Sequence, residues 1–393
     1  MQVDTDEKKI EEILTRGVEN VIPRDLAFKK LQSGEKLRIY FGIDPTGAKL
    51  HLGHSVPLRK LQALANLGHH VIFIVGSFTA MIGDPSGRDE QRTPLSEEAV
   101  RANFADYKRQ AEKILDFSKV EIRYNHAWLA PMTLKELLPL ASQFTVQQML
   151  KRDMFQRRIA EDKPISVVEF LYPLMVGYDS ATLDVDGELG GSDQEFNMLA
   201  GRHVQQVMGK RDKFVLTSRL IEGLDGRKMS KTYDNCVYLE DAPAEMYGKL
   251  MSVRDDLVEM YFETCTDVPI GNAKEILAGH PKDAKMRLAR EIVTMYHGAG
   301  AAAKAEENWQ QTFSEGAAPT DAPEIRVSAG EKISDKLVAA QIVSSKTELH
   351  RLEKQNAVSS AATGEKIGDV DALVHTDTLR IGKHRFVKIV IEK

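Results

Sequence analysis

The sequence predicts an α/β fold: a Rossmann-like, mainly parallel sheet, then an all-α segment, then a small α+β module. Three observations carry this. Short apolar runs alternate with helix-like stretches from about Leu37 to Leu216, the texture of a sheet covered on both faces. Residues 241–314 read as helical throughout, with few β-branched runs. The segment Glu324–Lys393 then holds two helix patterns and a late hairpin candidate ending in Phe386–Ile391.

In chain order, the strand candidates are Leu37–Ile43, Val71–Val75, Val120–Tyr124, Leu183–Val185 and Phe214–Leu216. Between them lie stretches such as Glu97–Leu115, whose apolar residues recur every three or four positions. Sheets of this kind bind ligands, often nucleotides, beyond the carboxyl ends of their strands. After Thr232 the texture changes, and Ser314–Pro323 is small, Pro-containing and polar, as a linker is. The expected organisation is a catalytic domain over 1–232, a helical domain over 233–314, a linker over 315–324 and a module over 325–393.

Composition limits the function classes. A chain of 393 residues with 42% apolar and 28% charged residues has room for two or three cores and is not globally disordered. The net charge of −5 excludes a protein coated in basic surface, although residues 325–393 carry 12 Lys+Arg against 9 Asp+Glu. Cys236 and Cys265 have no paired spacing, so neither a disulfide framework nor a cysteine zinc site is expected. The first residues are acidic and lack an apolar stretch, and the longest apolar run, Val71–Val75, is too short for a bilayer. A cytosolic protein without membrane contact is expected.

Two motifs carry chemistry. In Ile43-Asp44-Pro45-Thr46-Gly47-Ala48-Lys49-Leu50-His51-Leu52-Gly53-His54 an apolar strand enters a Pro/Gly turn and then two histidines three apart. A helix beginning near His51 would put both on its first turn, where the dipole and unpaired N–H groups favour phosphate. Gly53 would allow backbone or an adenine ring to approach closely. In Gly226-Arg227-Lys228-Met229-Ser230-Lys231-Thr232 two lysines three apart sit in a Gly-flanked loop able to clamp a polyphosphate. Alone, the first could be ordinary surface or core histidines and the second a solvated basic turn.

Together, in this order around a parallel sheet, they resemble the class I aminoacyl-tRNA synthetases. Tyr40-Phe41-Gly42-Ile43-Asp44-Pro45-Thr46, Ile82-Gly83-Asp84-Pro85-Ser86-Gly87, Tyr172 with Gly177-Tyr178-Asp179, and Gly190-Gly191-Ser192-Asp193-Gln194 narrow the resemblance to the tyrosyl branch. That resemblance implies activation of tyrosine by ATP and transfer to its tRNA. It implies that Tyr40 and Asp179 meet the substrate phenol, and that phenylalanine is rejected because it would leave both buried and unpaired, an effect for which the tyrosyl enzymes are the standard example. It implies that Asp84 and Tyr172 hold the α-ammonium, Gln194 lies near the carboxylate, and Gly42, Asp44, Gly53 and Asp193 hold ribose and adenylate. Thr46, His51 and His54 would face the phosphates from one side, and Lys228, Lys231 and Thr232 from the other. Arg88 and Arg92 match mobile basic residues that reach pyrophosphate. One position departs: four residues after Tyr172 the family has glutamine on the ammonium, and here stands Val176.

The tail resembles the S4-type RNA-binding module, with Lys346, Arg351, Lys383 and Arg385 implied as phosphate contacts. The resemblance further implies a homodimer and Mg²⁺ carried on ATP, with no caged metal. Two other readings stay open: a tRNA-independent nucleotidyltransferase, which has no need of the helical and RNA modules, and a synthetase paralogue acting only as an RNA-binding protein, against which the complete histidine and lysine pairs argue. A tryptophanyl enzyme shares the fold, but an indole has no use for Asp179 beside Tyr40.

Overall fold

The computed structural model describes residues 2–47, 49–86, 95–230, 233–314, 322–328, 330–361, 363–382 and 385–392. It divides into two compact units, Met1–Glu240 with Met260–Asp267, and Asp241–Glu259 with Val268–Lys393.

The first unit is built on six strands, β1 (Val18–Ile22), β2 (Arg38–Ile43), β3 (His70–Val75), β4 (Val120–Tyr124), β5 (Gly187–Gly191) and β6 (Phe214–Ser218). Their order is β1-β6-β5-β2-β3-β4. All neighbours run parallel except β1, which pairs antiparallel with β6 at the edge. Strand order therefore reverses between β2 and β5, which opens a crevice at their carboxyl ends. Val71–Val75 of β3 are essentially fully buried, so an unbroken apolar run is what this position demands. The helix Glu97–Ala111 starts where Ser96 Oγ accepts the Ala99 N–H at 3.2 Å, with Glu97 and Glu98 in its first turn and Lys108 and Arg109 in its last.

One expected strand is misplaced. Leu183 is the last residue of the helix Val167–Leu183, and Asp184 closes that helix in the left-handed region at φ 48°. Leu183 and Val185 are apolar because they pack with Tyr40, Ile72 and Ile74, not because they form a strand. The strand is β5, Gly187-Glu188-Leu189-Gly190-Gly191, whose glycines have poor strand propensity. They are required sterically. A Cβ on Gly187 would stand 2.5 Å from the Phe214 ring, and one on Gly190 would stand 2.5 Å from Met198 Sδ. The edge strand β1 was not expected, since it is half exposed and carries no apolar run.

The second unit holds the helices Pro243–Met251, Ile270–Leu277, Pro281–His297 and Ala299–Ser314. It also holds a sheet of β7 (Glu324–Val327), β8 (Val358–Ser360), β9 (Asp377–Ile381) and β10 (Arg385–Ile391), in the order β7-β10-β9-β8. The helices Ile333–Ala339 and Lys346–Lys354 contribute Ile333, Leu337 and Leu349 to a core with Val358, Leu379, Val387 and Ile389. The expected hairpin is β9–β10. Residues 315–321 of the expected linker lie outside the described residues.

Candidate active site

A cavity of about 670 Å³ opens at the β2/β5 crevice, and side chains from both motifs line it. On one side the helix Leu52–Asn66 begins, with His51 as its N-cap. His51 Nδ1 accepts the Gly53 N–H at 3.2 Å, and His54 Nδ1 accepts the His51 N–H at 3.2 Å. A ring nitrogen that accepts a backbone N–H is unprotonated, so each neutral imidazole carries its proton on Nε2 as a donor. The two rings lie 3.9 Å apart at the positive end of the helix dipole. Thr46, Gly53 and Lys49 line the same region.

Opposite, Asn235 organises the Gly226–Ser230 loop. Its Oδ1 accepts the Ser230 N–H at 2.8 Å, and its Nδ2 donates to Asp225 and to the carbonyls of Arg227 and Lys228. Lys228 Nζ reaches Asp193 Oδ2 at 3.0 Å, and both residues line the cavity. Lys231 and Thr232, like Arg88, Arg92 and Lys383, lie outside the described residues.

The deep end is a hydrogen-bonded polar floor. Asp179 is 4% exposed, and its carboxyl accepts the Trp128 indole N–H at 2.7 Å and the Asn125 amide at 3.1 Å. Burial pushes its pKa up to about 8 despite those two donors. Tyr40, 1% exposed, does not bond Asp179 in this arrangement; its hydroxyl meets Ser180 Oγ at 2.8 Å. Burial, then Glu188 and Asp179, hold the Tyr40 phenol well above its ordinary pKa, so it stays protonated.

Between the two ends lie carboxylates tied to the floor. Asp44 accepts Thr79 Oγ1–H at 2.7 Å and the Tyr172 hydroxyl at 3.0 Å. Gly76 makes this possible, since a Cβ there would come within 1.9 Å of Asp44 Oδ1. Gln194 Nε2 donates to Asp84 Oδ2 at 2.8 Å. Gly42 and Val176 complete the lining, and valine offers the cavity no polar atom.

Every described residue expected to bind amino acid or nucleotide thus lines one cavity. Asn125 and Trp128 were missed: they enter from the segment after β4, and only their bonds to Asp179 reveal them. In the second unit, Lys346 pairs with Asp335 at 2.5 Å, Arg385 with Glu348 at 2.8 Å and the Ile342 carbonyl at 2.8 Å, while Arg351 is exposed. Among the described residues no group of three His, Cys, Asp or Glu could hold a metal, and no helix is long and apolar enough to cross a membrane.

The family described as "tRNA synthetases class I (W and Y)" matches residues 32–314. The chain belongs to this class I synthetase family. The match takes in β2–β6, the cavity and the helices up to residue 314, and leaves β7–β10 outside it. This class I synthetase is 43% identical over 389 residues to the tyrosine–tRNA ligase of Oleidesulfovibrio alaskensis, covering 96% of this chain and 98% of the relative. It is likewise 43% identical over 387 residues to that of Thermotoga maritima, covering 96% of each. Among solved structures, a C-terminally truncated mitochondrial tyrosyl-tRNA synthetase of Aspergillus nidulans matches with a TM-score of 0.65 at 25% identity, over 78% of this chain and 94% of that one.

Proposed function

We propose that this synthetase is a tyrosine–tRNA ligase, which joins tyrosine to ATP as tyrosyl-adenylate with release of pyrophosphate, then passes the tyrosyl group to the 3′ end of its tRNA. One observation carries the reading: a single cavity has a buried acceptor-rich end at Tyr40 and Asp179, and a donor-rich end at His51, His54 and Lys228. A phenol matches the first, because phenylalanine would displace solvent from both polar groups and offer neither a hydrogen bond in return. A polyphosphate matches the second.

In the first step a carboxylate oxygen of tyrosine attacks the α-phosphorus and pyrophosphate leaves. Charge builds on the phosphate oxygens, where the Nε2–H groups of His51 and His54 and the ammonium of Lys228 are donors. Lys231, Thr232, Arg88 and Arg92 belong to the same proposal by their place in the sequence. Asp84, Tyr172 and Gln194 take the α-amino and carboxylate end; Gly42, Asp44 and Asp193 take the ribose. Mg²⁺ carried on ATP would supply charge neutralisation at the phosphates, while the cavity carboxylates Asp44, Asp84 and Asp193 are bonded to neighbouring side chains. In the second step the terminal ribose hydroxyl of tRNA attacks the mixed-anhydride carbonyl and AMP leaves.

Residues 325–393 are assigned as the S4-like RNA module, with Lys346 and Arg351 exposed among its expected phosphate contacts; residues 1–232 and 233–314 are assigned as catalytic and anticodon-side domains. Leu134, Leu138, Val146, Ile159 and Val167 are at least half exposed, and their cover by a second copy supports the homodimer that belongs to this reading; a cytosolic location is proposed with it. ATP-dependent attachment of labelled tyrosine to tRNA tests the function. Adenylate formation with no attachment to any tRNA would favour the nucleotidyltransferase reading.

A further inference from the structure

At the deep end of the cavity lies a charge pair to which neither step of the proposed reaction gives a role; its acid, Glu188, lines the cavity, and its base, Lys213, does not. Lys213, one residue before β6, is 0% exposed and forms an ion pair with Glu188, the second residue of β5, itself 3% exposed. Lys213 Nζ also donates to Ser180 Oγ at 2.6 Å, and Ser180 Oγ lies 3.4 Å from Glu188 Oε2. Ser180 is the residue that meets the Tyr40 hydroxyl at 2.8 Å, and it directly follows Asp179. In the parallel register Glu188 stands opposite Tyr40 on β2 and opposite Val215 on β6, so the sheet itself aligns the acid with the phenol. Lys213 Nζ stands 5.6 Å from the Tyr40 ring centroid. The cluster is accommodated by Gly201, where a Cβ would come within 2.5 Å of Ser180 Oγ and 2.6 Å of Lys213 Nζ.

Stability alone is a poor reason for this arrangement. A fully buried ion pair must overcome the desolvation of both charges, and an apolar pair of similar volume is often as stable or more so. What the pair does do is fix one atom. Ser180 Oγ receives the ammonium N–H and has the carboxylate within reach, which leaves little freedom in where it presents itself to Tyr40. Tyr40 in turn has its hydroxyl held at a defined point beside Asp179.

We propose that Lys213, Glu188 and Ser180 are positioning residues that hold the Tyr40 hydroxyl where the substrate phenol must meet it, so that discrimination for tyrosine over phenylalanine depends on a buried ion pair at the deep end of the cavity. The inference rests on tyrosine being the substrate. A misplaced Tyr40 hydroxyl weakens the hydrogen bond that only tyrosine can make, and leaves phenylalanine and ATP largely unaffected.

The test compares wild type, Ser180→Ala and the double variant Lys213→Met/Glu188→Met, in which the pair is replaced by apolar side chains rather than left with one bare charge. Each is assayed by ATP–pyrophosphate exchange for kcat/KM with tyrosine and with phenylalanine, and for the KM of ATP. The tyrosine-to-phenylalanine ratio is expected to fall about tenfold in both variants, with the KM of ATP unmoved. An unchanged ratio in either variant, whether or not total activity falls, overturns the proposal, since a merely structural role lowers both substrates together. Wild type separates the two ideas: no tyrosine-dependent exchange there removes the substrate reading itself, whereas normal exchange there with an unchanged ratio in the variants removes only the positioning role.

Discussion

The Asp179 carboxyl accepts the Trp128 indole N–H at 2.7 Å in a site where Asp179 is only 4% exposed, and burial still lifts its pKa to about 8. The proposed acceptor of the substrate phenol is therefore mostly protonated at neutral pH. Tyrosine that donates to the carboxylate binds the ionised form. The KM for tyrosine should fall as pH rises from about 6 to about 8.5 and then level off, and Asp179→Asn should lose the inflection. Exchange kinetics across that range check this; a flat tyrosine KM in wild type contradicts it.

The same shift bears on stability, with a definite sign. Asp179 holds its proton in the fold to about 8 and loses it in the unfolded chain at its ordinary value of 3.8. The folded state thus binds more protons between those limits, and the contribution of Asp179 is fully present below the lower one and lost as pH rises through the upper. An asparagine does not titrate. Relative to wild type, Asp179→Asn should gain about 2 °C or more in melting temperature between about pH 5 and pH 8. A difference that stays constant with pH would show that Asp179 is ionised in the fold throughout.

His51 has two functions that substitution can separate. Its Nδ1 caps the helix Leu52–Asn66, and under the proposed function its Nε2–H donates to phosphate. His51→Ala should lower kcat for adenylate formation about 10²-fold and also destabilise the fold by about 1 kcal/mol. His51→Asn restores a cap acceptor but no donor at the Nε2 position, so it should recover most of the stability and little of the rate. Thermal melts alongside exchange kinetics distinguish the two; full kcat in either variant takes His51 out of the mechanism.

Val176 lines the cavity beside Tyr172, Asp84 and Gln194, and Gln194 already donates to Asp84. A glutamine carbonyl at 176 would add one acceptor for the substrate ammonium, a bond made in ground and transition states alike. Val176→Gln should therefore lower the tyrosine KM by about tenfold and leave kcat nearly unchanged. An unchanged or raised KM means that Asp84 and Tyr172 already satisfy the ammonium, and that the new amide is buried without need.

Much of this architecture was legible because burial on both faces leaves a plain signature. β3 falls where its buried apolar run places it, β4 at the sheet edge falls where Val120, Ile122 and Tyr124 alternate with charged residues, and the helix start at His51 follows from the turn before it. β5 was not legible, because Gly187 and Gly190 are selected for lacking a Cβ against Phe214 and Met198, and glycine carries no strand signal. The motifs named most of the cavity lining. They could not name Asn125, Trp128 or Lys213, since each acts through a partner far away in sequence, 54, 51 and 25 residues distant from Asp179, Asp179 and Glu188 respectively. Local pattern has no means of expressing such contacts.

On the proposed function the cavity selects tyrosine by its phenol and activates its carboxylate with ATP. ATP–pyrophosphate exchange without tRNA, run on the wild-type protein over the standard amino acids, tests it most directly. Tyrosine alone should drive rapid exchange, because only its hydroxyl satisfies Tyr40 and Asp179 together. Comparable exchange with phenylalanine or tryptophan would contradict the account.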